Sequence, residues 1–196
     1  VNASVVPVEL TDDNVRRGWA ELLSRYTWDV FATLTYANPV WAGEKVVRDF
    51  RRWLWRWQFE TALERGLAAS RTIERRDAYG RIRDTHEKVT GPWYNSYRKG
   101  RADPVWVLGV EAHQSGTLHA HAIIRWSVQL PDLERRLGWD LWKGAGHANG
   151  LGLGFARIEP PRGQDDVAGY VSKYVVKGGE ITLSPSFDAH RLAAAS

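Results

Sequence analysis

Two stretches of alternating residues, Val105 to His113 and Thr117 to Trp126, flank Gln114-Ser115-Gly116, and this arrangement constrains the fold more than any other in the chain. Side chains alternate across a strand, so Leu118, Ala120, Ala122, Ile124 and Trp126 share one face while His119, His121, Ile123 and Arg125 share the other. On the preceding strand Trp106, Leu108, Val110 and Ala112 fall together, leaving Glu111 and His113 opposite them. If the three intervening residues form a hairpin loop with Gly116 left-handed, His113 pairs with Thr117 and Glu111 with His119. Directly paired residues have Cβ atoms about 4.5–5.5 Å apart on one face. The expectation is one apolar face for the core and, on the other, Glu111, His119 and His121 within reach of one ion.

The other elements follow from the same periodicities. Residues 28–36 are β-branched and aromatic, with Thr33 and Thr35 on one face and Ala32 and Leu34 on the other, which predicts a strand. From about Gly43 to Arg65, Val46, Val47, Phe50, Trp53, Leu54 and Trp57 fall at helical spacing, closed by Gly66. Trp55 and Phe59 lie off that stripe, between arginines, and either pack on a neighbouring element or stay exposed. A helix from Pro131 to Trp142 carries Leu133, Leu137 and Leu141, a short strand runs from Phe155 to Glu159, and a last helix starts near Gln164 or Asp165 and stops at Gly178-Gly179. The order β, α, β, β, α, β, α predicts an α+β split βαβ sandwich of the RRM or ferredoxin-like type, an antiparallel sheet with helices packed on it.

At 196 residues the chain fits a single domain, 1–196, with its core over about 28–180, a basic insertion over about 70–104 and a weakly patterned tail over 184–196. The insertion reads as a long connection, functional or disordered, that can hold short local structure of its own, with Arg75-Arg76, Arg81 and Arg83, then Trp93, Tyr97, Arg98, Lys99 and Arg101. Aromatics interleaved with cations would suit a flap that binds single strands, because rings stack on bases and cations neutralise phosphates. The other reading is a solvated loop.

The absence of cysteine excludes disulfides, thiol nucleophiles and Cys-based zinc sites, which leaves His, Asp and Glu as metal ligands and favours hard or borderline divalent ions. The formal charge of +4, with arginine more than threefold over lysine, is compatible with polyanion binding without requiring it. No apolar run approaches the roughly 20 residues that span a bilayer, and the opening Val1-Asn-Ala-Ser does not resemble a signal peptide. A soluble, cytoplasmic protein is therefore expected. With no methionine, the chain is expected to be processed, trimmed or cut from a longer protein.

Two imidazoles and a carboxylate leave coordination positions open, which suits a catalytic ion that must also hold a phosphate oxygen. A closed structural site would add a fourth protein ligand, and His113 could supply it. The alternative is a hydrogen-bonded polar cluster at the sheet surface. Some fifty residues further on, at about 100° per residue, Tyr170, Tyr174 and Lys177 share one side of the last helix beside an apolar stripe of Val167, Ala168, Val171 and Val175. A free phenol, with a pKa near 10, needs a cation, a base or a polarised electrophile to act as a nucleophile, and Lys173 and Lys177 can provide charge.

Together these residues resemble the HUH superfamily of tyrosine endonucleases, most of all the rolling-circle replication initiators (Rep) of phages, plasmids and small single-stranded DNA viruses. The strand Phe31-Ala-Thr-Leu-Thr-Tyr36 is similar to the first family motif, and Glu111-x-His113-x-x-Gly116-x-x-His119-x-His121 to the metal motif. Tyr170-Val-Ser-Lys173-Tyr174-Val-Val-Lys177 is similar to the third motif in its two-tyrosine form. The resemblance covers about residues 28–180. It implies an HUH endonuclease fold, with Glu111, His119 and His121 holding Mg2+ or Mn2+. It further implies Tyr174 as a nucleophile, Tyr170 as the second, and Lys173 or Lys177 steadying the phosphate or phenolate. The implied reaction nicks and rejoins single-stranded DNA at a replication origin through a 5′-phosphotyrosine, leaving a 3′-hydroxyl for synthesis. Unwinding would then fall to a host helicase or a further domain. The basic insertion departs from the family's minimal core. Rival readings are a single-strand transposase or relaxase of the same superfamily, a metal-dependent hydrolase with no covalent step, and a non-catalytic module binding single-stranded nucleic acid.

Overall fold

The structure, a computed structural model, describes residues 12–144, 148–161, 163 and 180–187. Strands β1 (Val30–Tyr36), β4 (Val105–Ala112), β5 (Leu118–Arg125), β6 (Gly154–Glu159) and β7 (Glu180–Leu183) form one sheet in the order β6-β1-β5-β4-β7, and every pairing is antiparallel. Leaving out β7, the strands run fourth, first, third, second in chain order, which is the order of a split βαβ sandwich.

Helix α2 (Gly43–Glu64) covers one face of this sheet. Its buried stripe of Val46, Phe50, Trp53, Leu54 and Trp57 meets Leu34, Trp106, Leu108, Ala120, Ala122 and Ile124 in one apolar cluster. Each such large side chain taken from water contributes about 1.5–3 kcal/mol. The helix stops as the sequence predicts. Gly66 adopts φ +68°, its N–H bonds to the Leu63 carbonyl, and the N–H of Leu67 bonds to the Ala62 carbonyl, which satisfies the last carbonyls in a Schellman arrangement. Trp55 and Phe59 stack at 4.9 Å, and Phe59 is buried beside Trp93.

Helix α4 (Arg135–Lys143) lies beside α2, with Leu133, Leu137 and Leu141 all buried as their spacing predicts. It begins later than Pro131, because Asp132 sits at φ +53° and breaks the helical path. The indole N–H groups of Trp53 and Trp57 donate to the carbonyls of Gly138 and Glu134, so the tryptophans that fill the core also satisfy its polar backbone.

The opposite face is divided. Helix α1 (Asp12–Ser24), which the sequence reading did not anticipate, covers one end: Leu23, Tyr26 and Trp28 join Val105, Val107, Ile123 and Phe187 in a second cluster. The other end of that face, with Thr33, Thr35, Glu111, His119 and His121, remains polar.

Residues 70–104 are not a loop. Strands β2 (Ala69–Arg76) and β3 (Ile82–Thr90) form a separate antiparallel ribbon, followed by helix α3 (Pro92–Arg98). The predicted helix from about 164 to 178 lies outside the described residues. Among the described residues no helix is long and apolar enough to cross a membrane.

Candidate metal centre

The hairpin adopts the register that its alternation predicts. Glu111 pairs with His119 and Ala112 with Leu118, while the N–H of His113 bonds to the Thr117 carbonyl and Gly116 turns the loop at φ +80°. Only a residue tolerant of the left-handed region fits there, and the edge of Trp41 lies close to where a Cβ would project. Parity then does the rest, placing Glu111, His119 and His121 on the face opposite α2, at the end that α1 does not cover.

Glu111, His119 and His121 form a cluster that could hold a metal ion: one donor atom from each lies within 4.8 Å of the others. The Nε2 atoms of His119 and His121 stand 3.5 and 3.7 Å from Glu111 Oε2. Metal–ligand bonds of about 2.0–2.2 Å, at angles between octahedral and tetrahedral, separate donor atoms by roughly 2.9–3.5 Å. The two separations from Glu111 Oε2 lie at or just above the upper end of that range. His121 is 6 % exposed while the Glu111 side chain keeps 21 %, so the cluster is partly desolvated yet open on one side.

Strand β1 orients one imidazole. Thr33 pairs with His121, and its Oγ1 lies 3.1 Å from His121 Nδ1. With Nδ1 as donor to the hydroxyl, Nε2 presents its lone pair towards Glu111, the pattern by which a partner on the second nitrogen fixes a ligating histidine. Phe31 stacks over the same imidazole at 6.2 Å, and His119 meets it edge-on at 4.8 Å. The sequence signal for this contact is the parity of Thr33 in β1, opposite the apolar Ala32 and Leu34. On β4 the residue opposite His121 is Gly109, which adds no side chain in front of the imidazole.

His113 lies at the rim. Its ring centroid is 5.5 Å from that of His119, but it is exposed and outside the set of converging donors. The set of two imidazoles and one carboxylate with an open side fits a divalent cation that keeps room for further oxygen ligands. Tyr170, Lys173, Tyr174 and Lys177 lie outside the described residues.

No family model, curated protein or solved structure matches this chain. The functional reading accordingly rests on the site and the motifs themselves.

The residues of the basic insertion separate into two kinds. Trp93, expected as a stacking ring, is 2 % exposed and packs between Phe59 and Tyr97, so it cannot meet a base. The helical spacing of Trp93 and Tyr97 in α3 turns both rings inward, a feature hidden while the segment reads as a loop. Tyr97 is half-buried, and burial raises its phenol above the usual tyrosine range. Arg98, Lys99 and Arg101 are exposed.

Proposed function

We propose that this protein is a metal-dependent endonuclease and strand transferase of the HUH type, which nicks and rejoins single-stranded DNA at a replication origin as a rolling-circle initiator does. The observation that carries the reading is the convergence of Glu111, His119 and His121 on the open face of an antiparallel sheet, in the register that the metal motif needs. These residues would hold a divalent cation, Mg2+ or Mn2+, and such an ion supplies positive charge to a scissile phosphate oxygen when bound. Thr33 keeps the His121 ring turned for that purpose, and Phe31 walls one side of it.

The nucleophile on this reading is the Tyr174 hydroxyl, with Tyr170 acting in the second transfer. The phenolic oxygen bonds to phosphorus as the bond from phosphorus to the 3′ oxygen breaks. The phenolic proton leaves through solvent or a neighbouring base, and the departing 3′ oxygen takes up a proton to become a hydroxyl. The ester is retained as a 5′-phosphotyrosine, so the reverse step rejoins a strand with no nucleotide consumed. Lys173 and Lys177 supply charge for the phosphate or phenolate.

The test is incubation of the full chain with a pooled single-stranded DNA library and Mn2+, followed by denaturing gels and sequencing of the protein-linked strands. A covalent adduct that disappears in Tyr170→Phe/Tyr174→Phe while DNA binding persists is the expected result. An adduct that survives in the double variant, or that forms equally well in excess chelator, overturns the reading.

A further inference from the structure

The β2–β3 ribbon has a distribution of charge that its own fold does not use. Seven consecutive pairings from Ala69–Thr90 to Arg75–Asp84 define its two faces, and the register shifts once before the last pairing, Arg76–Ile82. One carries Arg71, Arg75 and Lys88, with Ile73 and His86 between them and Asp84 as its one acid; the other carries Glu74 and Glu87 with Thr72 and Thr85. Arg71 is directly opposite Lys88. Like charges in that position destabilise a strand pair, and exchanging either with a residue of the acidic face would relieve it.

The remaining cations of the ribbon serve its turn. Arg81 and Arg83 point their Nε atoms at Asp77 Oδ2, at 3.0 and 3.7 Å, and Arg76 pairs with Glu74. Among the described residues, Arg71, Arg75 and Lys88 enter no ion pair. A solitary two-stranded ribbon is at best marginal in water, and this one is almost wholly exposed. It is nevertheless firmly rooted. The N–H of Trp93 bonds to the Leu67 carbonyl at 3.1 Å, and Gly91, at φ +116°, approaches the backbone of Leu67 and Ala68 so closely that no Cβ would fit.

We propose that the β2–β3 ribbon is a docking arm for double-stranded DNA, seated in the major groove with Arg71, Arg75 and Lys88 towards the phosphates. Two strands about 4.8 Å apart, with their side chains, match a B-form major groove about 12 Å wide, a groove that admits a two-stranded ribbon. Arg71 and Arg75 are separated along the ribbon by about 13 Å, comparable with that width. The basic face carries no phenyl, phenol or indole ring, and its one aromatic side chain is the smaller imidazole of His86, so it offers little of the stacking surface that single strands require. The one tyrosine of the ribbon, Tyr79, sits at the tip under the Arg81 guanidinium. A-form duplexes are excluded on shape, since their major groove is deep and narrow.

The arm is rooted away from the candidate metal cluster. It leaves the body after the C-terminal end of α2, whose Trp57 packs on Trp126, beyond the end of β5 farthest from His119. Duplex docking therefore goes beyond the nicking reading and is tested without chemistry.

Filter binding of the full chain to a mixed-sequence 25-base-pair DNA duplex is measured in chelator over a range of salt concentrations. Arg71→Ala/Arg75→Ala/Lys88→Ala is expected to lose at least tenfold in duplex affinity at low salt, and its log–log salt slope to fall in magnitude by about 2.7, at roughly 0.9 per phosphate contact. Glu74→Gln/Glu87→Gln, on the opposite face, is expected to bind at least as tightly as the parent. If the triple variant fails to fold, the three single substitutions carry the test at about one slope unit each. Unchanged affinity and slope in the cation variants overturn the proposal. So does an equal loss for a single strand of the same sequence, or equal binding of the RNA duplex.

Discussion

Thr33 Oγ1 lies 3.1 Å from His121 Nδ1, across the boundary between β1 and β5. The hydroxyl fixes the ring without occupying the nitrogen that faces Glu111. Thr33→Val keeps the shape and removes the oxygen. A partner of this kind is worth about 10–100-fold in metal affinity, so Mn2+ binding measured by calorimetry should weaken by that factor with thermal stability little changed. Unaltered affinity would remove Thr33 from the site.

Removal of a ligand should act more severely. Glu111→Ala leaves two imidazoles and deletes the one carboxylate of the cluster. Calorimetric Mn2+ binding is expected to disappear at concentrations where Thr33→Val still binds. His113→Ala, at the rim, should bind like the parent; a comparable loss there would make His113 a fourth ligand.

The contact between α2 and α4 depends on a missing side chain. A Cβ at Gly138 would come 2.7–2.8 Å from the indole of Trp57, which is fully buried and already bonded through Nε1 to the Glu134 carbonyl. Gly138→Ala should cost about 1–3 kcal/mol, read as a lower urea midpoint at unchanged slope. Destabilisation below about 0.5 kcal/mol would mean that the helices separate freely.

The ribbon's turn carries a pH dependence. Asp77 Oδ1 accepts the N–H groups of Arg81 and Tyr79, and these bonds, with the Arg81 and Arg83 side chains, hold its carboxyl below the usual aspartate range. A depressed folded-state value means that the contribution is present above the ordinary value of 3.8 and is lost as pH falls through the lower one. The protection of the Tyr79 and Arg81 amides, measured against their intrinsic exchange rates, should fall over that acidic window, and in Asp77→Asn this pH-dependent loss should be absent.

The β4–β5 hairpin was legible because its two faces have different solvents, so hydrophobicity alternates and fixes parity. Leu118, Ala120 and Ala122 could only go inward, and Glu111 and His119 followed. The ribbon was not legible because both its faces meet water; its period of two is written in charge, Arg71 and Arg75 against Glu74 and Glu87, rather than in apolar residues. Strand β7 has four residues and exists through its pairing with β4, a contact between segments some seventy residues apart that no local pattern announces. Helix α1 had Trp19, Leu22 and Leu23 at helical spacing, but this short signal precedes the first strand and went unread. The predicted tyrosine helix lies outside the described residues.

Trp142 donates its indole N–H to the Thr35 carbonyl at 3.0 Å and meets Trp53 and Tyr36 edge-on, at 5.9 and 5.4 Å. Thr35 belongs to the strand that also carries Thr33, and its side chain is on the same face as the metal cluster. The chain thus contains its own optical reporter. Excitation absorbed anywhere among these closely spaced indoles can migrate to a ring hydrogen-bonded to β1. Ion or strand binding on the far side of β1 should then be visible as a change in intrinsic emission, with no dye attached.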